Sequence, residues 1–581
     1  MQDVIDALVG PKLLQRLLVL DRFQSFFEKM RHDGGSRPVL ERTLTALNVQ
    51  PRISTRDLGL VPKHGPVVAV ANHPFGLMEG AILATLLRSV RPDVKILANH
   101  WLRNLPGTEE HCIFVDPFGG PDAVRSNRKS LKESIAWLER GGMLALFPAG
   151  EVAHLNLLEG GVRDPEWNQS VARIIRMTHA SVLPVYFPGA NSAWFQVLGF
   201  LHPKVRTALL AHEFLNKANR RIEVRIGNPI APAKLRTYQD DVAMTRYLRH
   251  RTYLLDDRKT PSAAPKARYE QVAQLVMPEL IAADIARLGA DRTLVESGEL
   301  TVLLARAAEI PNGLREIGRL RELTFREIGE GTGKSIDRDA FDDHYWHLFV
   351  WNKRQSEIVG AYRLGPSDEI LPRAGVKGLY TSSLFHWNEG FLKRTGPALE
   401  LGRSFVRAEY QKSYAPLLLL WKGIGKFLVR NPKYRVLFGP VSISNKYTVA
   451  ARELMVTYLS AFRRSPELAP LVRARNPFRQ RPSRLAKELV GGTAWDMEEL
   501  STMVADVEAD HKGMPVLLRQ YLKLGGELVA FNVDRKFSNA LDGLIVVDLA
   551  KTDPRLLERY LGKEGAAIFG TTGRERAYPH A

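Results

Sequence analysis

His73 and Glu79 are the residues of this chain best placed to do chemistry. The histidine follows an apolar run at residues 67–71, and the acid stands six positions later, across Pro74-Phe75-Gly76. An imidazole at the mouth of a strand, with a carboxylate beside it, can take the proton of an alcohol, which is a weak nucleophile until a base removes that proton in the transition state. A lone histidine in this position serves equally as a cap for the helix that follows, so its company decides. A second place of interest is Glu400-Leu401-Gly402-Arg403, where two charges three apart interrupt an apolar run. Side chains alternate along a strand, so Arg403 faces away from Glu400 unless the strand bulges.

The elements that must position these groups follow from hydrophobic patterning. Between residues 66 and 232, strands are expected at 66–71, 94–98, 112–116, 143–147, 181–187 and 221–226. They alternate with helices at 79–90, 123–140, 168–180 and 233–255, which argues for an α/β domain with a largely parallel sheet. A Pro/Ala/Ser-rich linker with a helical stretch is expected over 256–298. A second domain then opens with a strand at 300–306, a helix at 313–329, a strand pair at 347–351 and 358–364, the Glu400 strand at 399–406 and a helix at 417–429. Strands return at 528–533 and 545–549. Ahead of all this, residues 11–31 place Leu13, Leu14, Leu17, Leu18, Phe23, Phe26 and Phe27 at helical spacing. That amphipathic stripe suits either a membrane interface or packing onto the following domain. The organisation read from the chain is 1–39 amphipathic segment, 40–255 first domain, 256–298 linker and helix, 299–560 second domain, 561–581 tail.

Bulk properties narrow the class. The 581 residues exceed one core, and 45% apolar with 25% charged content is ordinary for globular domains. The single cysteine, Cys112, excludes an intramolecular disulfide framework and suits a reducing compartment. No secretory signal is read at residues 1–6, and no apolar run approaches the roughly 20 residues that span a bilayer. The net charge of +19 calls for an acidic partner. No zinc spacing, RNA-recognition signature or helix-turn-helix pattern points to nucleic acid, and the one basic cluster is Arg473, Arg475, Arg479, Arg481 and Arg484.

Four ordered blocks, each at a strand end, resemble the glycerolipid (lysophosphatidic-type) acyltransferases: Asn72-His73, Phe114-Val115-Asp116, Phe147-Pro148-Ala149-Gly150-Glu151 and Leu183-Pro184-Val185. The resemblance covers roughly residues 40–255 and implies that His73 is the base, with Glu79 orienting its ring. It also implies that the block Phe147, Pro148 and Gly150 contacts the acceptor; Glu151 and Arg125 are further candidate contacts, with surface salt bridging as their alternative. Asn72, or the N–H groups opening the next helix, would hold the oxyanion; for Asn72 a turn-forming role is the alternative. Two departures matter: five residues rather than four separate the histidine from its acid, and the usual Phe-Pro-Glu-Gly reads Phe-Pro-Ala-Gly. Both point away from a phosphate-bearing acceptor, and the variant first block resembles the O-acyltransferases of aminolipid synthesis.

The second half resembles the GNAT acyltransferase fold, an α+β class. Gly360-x-Tyr-Arg363-Leu and Glu400-Leu-Gly-Arg403-Ser resemble the branch containing acyl-homoserine-lactone synthases and ornithine N-acyltransferases. Leu420-Trp421-x-Gly423 and Gly439-Pro-Val-Ser442 fit the latter better. The usual pyrophosphate loop is missing after Val406, which favours an acyl carrier protein thioester as donor, with coenzyme A thioester as the alternative and no tightly bound cofactor. The resemblance implies Glu400 as the carboxylate that receives the amine's proton, and Arg403 as a group holding substrate or the phosphopantetheine arm. Asp342 and Asp343 would bind the ammonium groups of ornithine, and Arg363 its carboxylate. For Glu400 and Arg403 a buried ion pair is the alternative, and for Asp342 and Asp343 a solvated loop. The two resemblances together imply a fused ornithine-lipid synthase in the bacterial cytoplasm, peripheral on an anionic membrane, acting on ornithine and then on the lyso-lipid; the alternatives are the same two reactions on glycine or lysine, or a lysophosphatidic-acid-type acyltransferase with a degenerate GNAT domain.

Overall fold

The computed structural model describes residues 20–32, 38–104, 107–116, 121–156, 161–196, 203–258, 269–479 and 496–570. They form two compact units: one from the described residues up to Arg258 together with 505–511, the other from the remainder.

The first unit is built on a six-stranded sheet. In chain order its elements are β1 (Val67–Ala71), α1 (Leu77–Arg88), β2 (Val94–Asn99), β3 (Cys112–Val115), α2 (Pro121–Glu139), β4 (Met143–Leu146), α3 (Ser170–Thr178), β5 (Ser181–Tyr186), β6 (Arg225–Ile226) and α4 (Asp241–Tyr253). The sheet order is β6-β5-β1-β4-β2-β3, parallel throughout except for β6. All five residues of β1 are buried, as a strand covered on both faces requires. Val67, Ala69 and Ala71 pack under α1, while Val68 and Val70 pack with Leu138, Ile174 and Leu248 of α2, α3 and α4. Helix Leu20–His32 lays Phe23, Phe26 and Phe27 around Phe214, with ring centroids 5.5–5.9 Å away. That part of the apolar stripe is therefore used in packing; residues 11–19 of the stripe lie outside the described residues. A short hairpin, His154–Asn156 with Gly161–Arg163, and a helix at Pro203–Leu215 add elements that periodicity did not suggest.

The second unit is an eight-stranded sheet. Its elements are β7 (Thr293–Ser297), β8 (Leu300–Arg306), α5 (Pro311–Glu327), β9 (Trp346–Asn352), β10 (Glu357–Pro366), β11 (Ala398–Val406), α6 (Ala415–Arg430), β12 (Val436–Ile443), β13 (Glu527–Asp534), β14 (Ala540–Asp548) and α7 (Pro554–Phe569). The order is β7-β8-β9-β10-β11-β12-β14-β13, antiparallel except for the parallel pair β11/β12. Helix α5 covers one face through Ile317, Leu320 and Phe325. Helix α6 covers the other so closely that a Cβ on Gly423 would meet Val302 at 2.6 Å. The helical stretch expected over 256–298 is much shorter. Among the described residues of this stretch the α-helix is confined to Pro278–Ala286, opened by a proline at its first position, with 3-10 turns at Leu254–Asp257 and Ala290–Arg292; Thr293–Ser297 turns back through Gly298 (φ +59) to pair with β8.

Candidate functional sites

In the first unit, β1 ends at Asn72-His73 and the chain reverses through Gly76, whose φ of +101 and ψ of −120 place it where a side chain is strained. The reversal brings Glu79, in the first turn of α1, back under the histidine: its Oε1 lies 3.4 Å from His73 Nδ1 and accepts the Phe75 N–H. Glu79 is fully buried and the His73 side chain is 17% exposed, so the acid is shielded while the ring is reachable. A carboxylate on the Nδ1 side favours the tautomer with its proton there and its lone pair on Nε2, as a base toward an incoming hydroxyl requires. The inserted residue is thus absorbed by the turn.

The backbone of His73 is held as firmly. Its N–H donates to Asp164 Oδ1 (3.0 Å) and its carbonyl accepts the Ala153 N–H (2.7 Å). Asp164 also accepts the Trp167 indole N–H (2.9 Å), while its own N–H donates to the Tyr253 hydroxyl (2.8 Å). Burial pushes the Asp164 carboxyl upward, and the His73 and Trp167 donors pull against it. Asp164 is a positioning residue that no spacing rule singled out, since it stands in the polar run Arg163-Asp164-Pro165-Glu166 like any turn acid.

Phe147 follows β4, the neighbour of β1, and stacks on the His73 ring (centroids 4.4 Å, 24°). Pro148 is buried behind it, and Gly150 (φ +68) and Glu151 are exposed at the tip of the turn. The side chain of Arg125, in α2, is outside the described residues. Lys217 reaches the same turn, its ammonium 4.7 Å over the Phe75 ring and 3.6 Å from Glu213, with burial lowering its pKa. Asn72 departs from the oxyanion reading. Its amide is buried in a reciprocal pair, donating to the Phe187 carbonyl (3.0 Å) and accepting the Phe187 N–H (2.7 Å). It ties the end of β1 to the chain leaving β5.

In the second unit β11 pairs with β12 only over Ala398–Glu400, after which the two strands part. Gly439 makes the close approach possible, since the Leu401 carbonyl oxygen lies 2.1 Å from where its Cβ would be. Against β10, the register jumps: Arg363 faces Gly402 but Ala361 faces Phe405, so residues 403 and 404 share the place opposite Tyr362. Arg403 takes φ +48 in this bulge. Its side chain therefore reaches the Glu400 face, donating to the Tyr380 hydroxyl (2.9 Å) and lying 3.2 Å from Asp337.

On that face three arginines interlock with three aspartates. Arg321 donates to Asp342 (2.7 Å); Arg363 reaches Asp339 (2.6 Å) and Asp342 (3.3 Å); Arg403 faces Asp337 and Asp339. Burial would raise the Asp342 carboxyl, but Arg321 and Arg363 hold it well below the usual range. This corrects the assignment of the amino-acid head. Asp342 is wholly buried and committed to two guanidinium groups. Asp343 is exposed and paired with Arg338 (3.0 Å). Arg363 is 0% exposed among the Phe341, Tyr345 and Tyr380 rings, a buried counter-charge rather than an open carboxylate clamp. Glu400 also differs from expectation. It accepts the Tyr345 hydroxyl, the Thr381 N–H (2.7 Å) and the Tyr380 N–H (3.1 Å), so its oxygens anchor the turn carrying Tyr380 rather than facing an incoming amine. Burial raises its pKa against the pull of Tyr345, Thr381 and Arg363. The cleft where β11 and β12 part is instead lined by Tyr380, Gly402, Arg403, Ser442 and Asp542. Asp542 went unread, although an acid inside the apolar run of β14 is a visible anomaly.

The chain matches two family models: Acyltransferase over residues 51–260 and Acetyltransferase (GNAT) domain over residues 320–421. It is 37% identical over 203 residues to a glycine N(alpha)-acyltransferase of Bacteroides thetaiotaomicron, covering 33% of this chain and 59% of that protein. It is 29% identical over 250 residues to a lyso-glycine lipid O-acyltransferase of the same organism, covering 39% and 87%. The chain thus spans under two thirds of the length of the N-acyltransferase it matches. The lysophosphatidic acid acyltransferase PlsC from Thermotoga maritima aligns with 18% identity and a TM-score of 0.23 over 42% of this chain and 87% of its own. The expected fold classes hold: an α/β domain matched by the acyltransferase model, then an α+β domain matched by the GNAT model.

Proposed function

We propose that this chain is a bifunctional acyltransferase of aminolipid synthesis. The second unit transfers a 3-hydroxyacyl group from a thioester to the α-amine of an amino acid, and the first unit esterifies the new hydroxyl with a second chain. The order is chemical, because the hydroxyl arrives with the first acyl group. The observation that carries the reading is the pairing of His73 with a buried Glu79 at a reachable strand end, in a chain that also holds a GNAT-type domain. An alcohol needs that base, whereas an amine needs a carboxylate to relieve it of a proton.

Acyl carrier protein is the proposed donor, and its acidity, with that of anionic phospholipid, suits the charge of +19. Among the described residues no helix is long and apolar enough to cross a membrane, in keeping with the proposed peripheral attachment at the bacterial inner face. For the head group, the motifs of the second unit favour ornithine. Glycine is the second reading, favoured by the relatives, a glycine N-acyltransferase and a lyso-glycine lipid O-acyltransferase.

Expression in a bacterium that makes no aminolipid, followed by lipid mass spectrometry, tests this and reads the head group directly. A diacylated aminolipid is expected from the wild type, and only its monoacyl precursor from His73→Ala. Absence of any acylated amino acid sinks the proposal; full diacyl product from His73→Ala sinks the assignment of the first unit.

A further inference from the structure

The Arg321/Arg363/Arg403 cluster is balanced by Asp337, Asp339 and Asp342, but the same face of the sheet carries further carboxylates that this balance leaves over. Asp542 stands in register with Ser442 on β12 and with Asn532 on β13. Ser442 donates to Glu330 (2.7 Å), and Asp534 follows two residues after Asn532. Asp542 is 5% exposed and lines the cleft between β11 and β12; among the described residues its Oδ2 has no hydrogen-bond partner, and the Asn532 Nδ2 beside it is likewise buried without one. Of the described cations, Arg403 acts on Asp542, yet its own nitrogens are turned to Asp337, Asp339 and Tyr380. A buried carboxylate in this state is costly unless something positive completes it.

We propose that Asp542, backed by Glu330 and Asp534, receives the ammonium group of the amino-acid acceptor and takes its proton in the transfer step. This rests on the N-acyltransferase reading of the second unit and deepens it. The ammonium gives one proton to Asp542. The freed lone pair forms the C–N bond at the thioester carbonyl as the C–S bond breaks, the second proton goes to the departing thiolate, and the third stays on the amide. Burial together with Asp534 and Glu330 lifts the Asp542 carboxyl above its ordinary value, which makes it a stronger proton acceptor than a solvated aspartate. Three carboxylates also offer more negative charge than one ammonium cancels, so Glu330 and Asp534 are assigned the second charge of a diamino acid, and with it the preference for such an acceptor over glycine.

The test uses the purified full chain with 3-hydroxyacyl-acyl carrier protein as donor and L-ornithine or glycine as acceptor. Asp542→Asn should lower kcat/KM for the acceptor by about 100-fold or more, the usual worth of a positioned base, with the donor KM unchanged. It should also abolish the rise in melting temperature that L-ornithine gives the wild type without donor. Glu330→Gln should reduce the ornithine-to-glycine ratio of kcat/KM by about tenfold, of the order a single pocket contact supplies. Neither variant should melt below the wild type, because each removes a buried charge. Wild-type turnover by Asp542→Asn overturns the site and leaves the N-acyltransferase reading standing. An ornithine-induced stabilisation lost in Asp542→Asn, with no N-acylated product from the wild type, supports the ammonium site and overturns the reading of function.

Discussion

Replacing Glu330 by glutamine should make the stability of the second unit less sensitive to pH. Glu330 is 2% exposed, and burial lifts its carboxyl to about 7 from an ordinary 4.5, against the pull of the Ser442 hydroxyl and Arg403. That interval is worth about 3 kcal/mol at roughly 1.4 kcal/mol per pH unit. The sign is set by which state holds the proton: the folded chain keeps it up to about pH 7, the unfolded chain releases it near 4.5. Stability therefore falls as pH rises through this window and levels off above it. The glutamine keeps an oxygen for Ser442 and has no proton to lose, so the variant should match the wild type near pH 4.5 and exceed it by up to ~3 kcal/mol at pH 8. Asp542, which feels the Glu330 charge, ionises more easily once that charge is gone, and this enlarges the gap on the alkaline side. Urea unfolding of the full chain from pH 4.5 to 8, followed by tryptophan fluorescence, measures the difference. A gap independent of pH, or a variant less stable than wild type at pH 8, refutes the reasoning.

Other perturbations separate site from scaffold. Glu79→Gln should cut O-acylation by ~10²- to 10⁴-fold while N-acylation, scored by monoacyl product, is untouched. Gly76→Ala forces a side chain to φ +101 with its Cβ 3.2 Å from Leu210, which should cost about 1–3 kcal/mol and loosen Glu79 from His73; it is read as a lower melting temperature together with lost esterification. Asn72→Ala should cost about 1–3 kcal/mol of stability with little change in esterification per folded molecule, since its amide serves Phe187; a large fall in kcat at full stability would restore an oxyanion role. Asp342→Asn should destabilise by about 3–5 kcal/mol in a thermal melt, because two buried guanidinium groups lose a partner.

The parts legible in the sequence are those set by local pattern. The runs that become β1, β4 and β5 are apolar throughout because both faces of the sheet are covered, and the His73 turn announces itself through Pro74 and Gly76. What was illegible depends on partners brought from afar. Asp342 and Asp343 are neighbours of one type, yet one meets Arg321 and Arg363 in the core and the other stays in water with Arg338. Glu400 reads as a free base until Tyr345, Tyr380 and Thr381 are seen to surround it, and Gly365 reads as a plain glycine until the Tyr345 ring is found 2.3 Å from its missing Cβ. The facing of Arg403 hung on a bulge that no composition rule reveals.

That bulge has a consequence for how the strand tolerates change. Glu400 and Phe405 differ in parity, yet both lie on the α5 side of the sheet, the first under Tyr380 and the second in the core with Ile317 and Phe325. The extra residue at 403–404 is a phase shift that lets a polar half-strand and an apolar half-strand share a layer. Deleting one residue there acts as a frameshift in space: whichever half holds its ladder, the other turns its side chains to the opposite face. Substitution at Arg403 tunes the site, whereas a one-residue gap in the same place brings Ser404 or Val406 to the position of Phe405 and costs the core its ring.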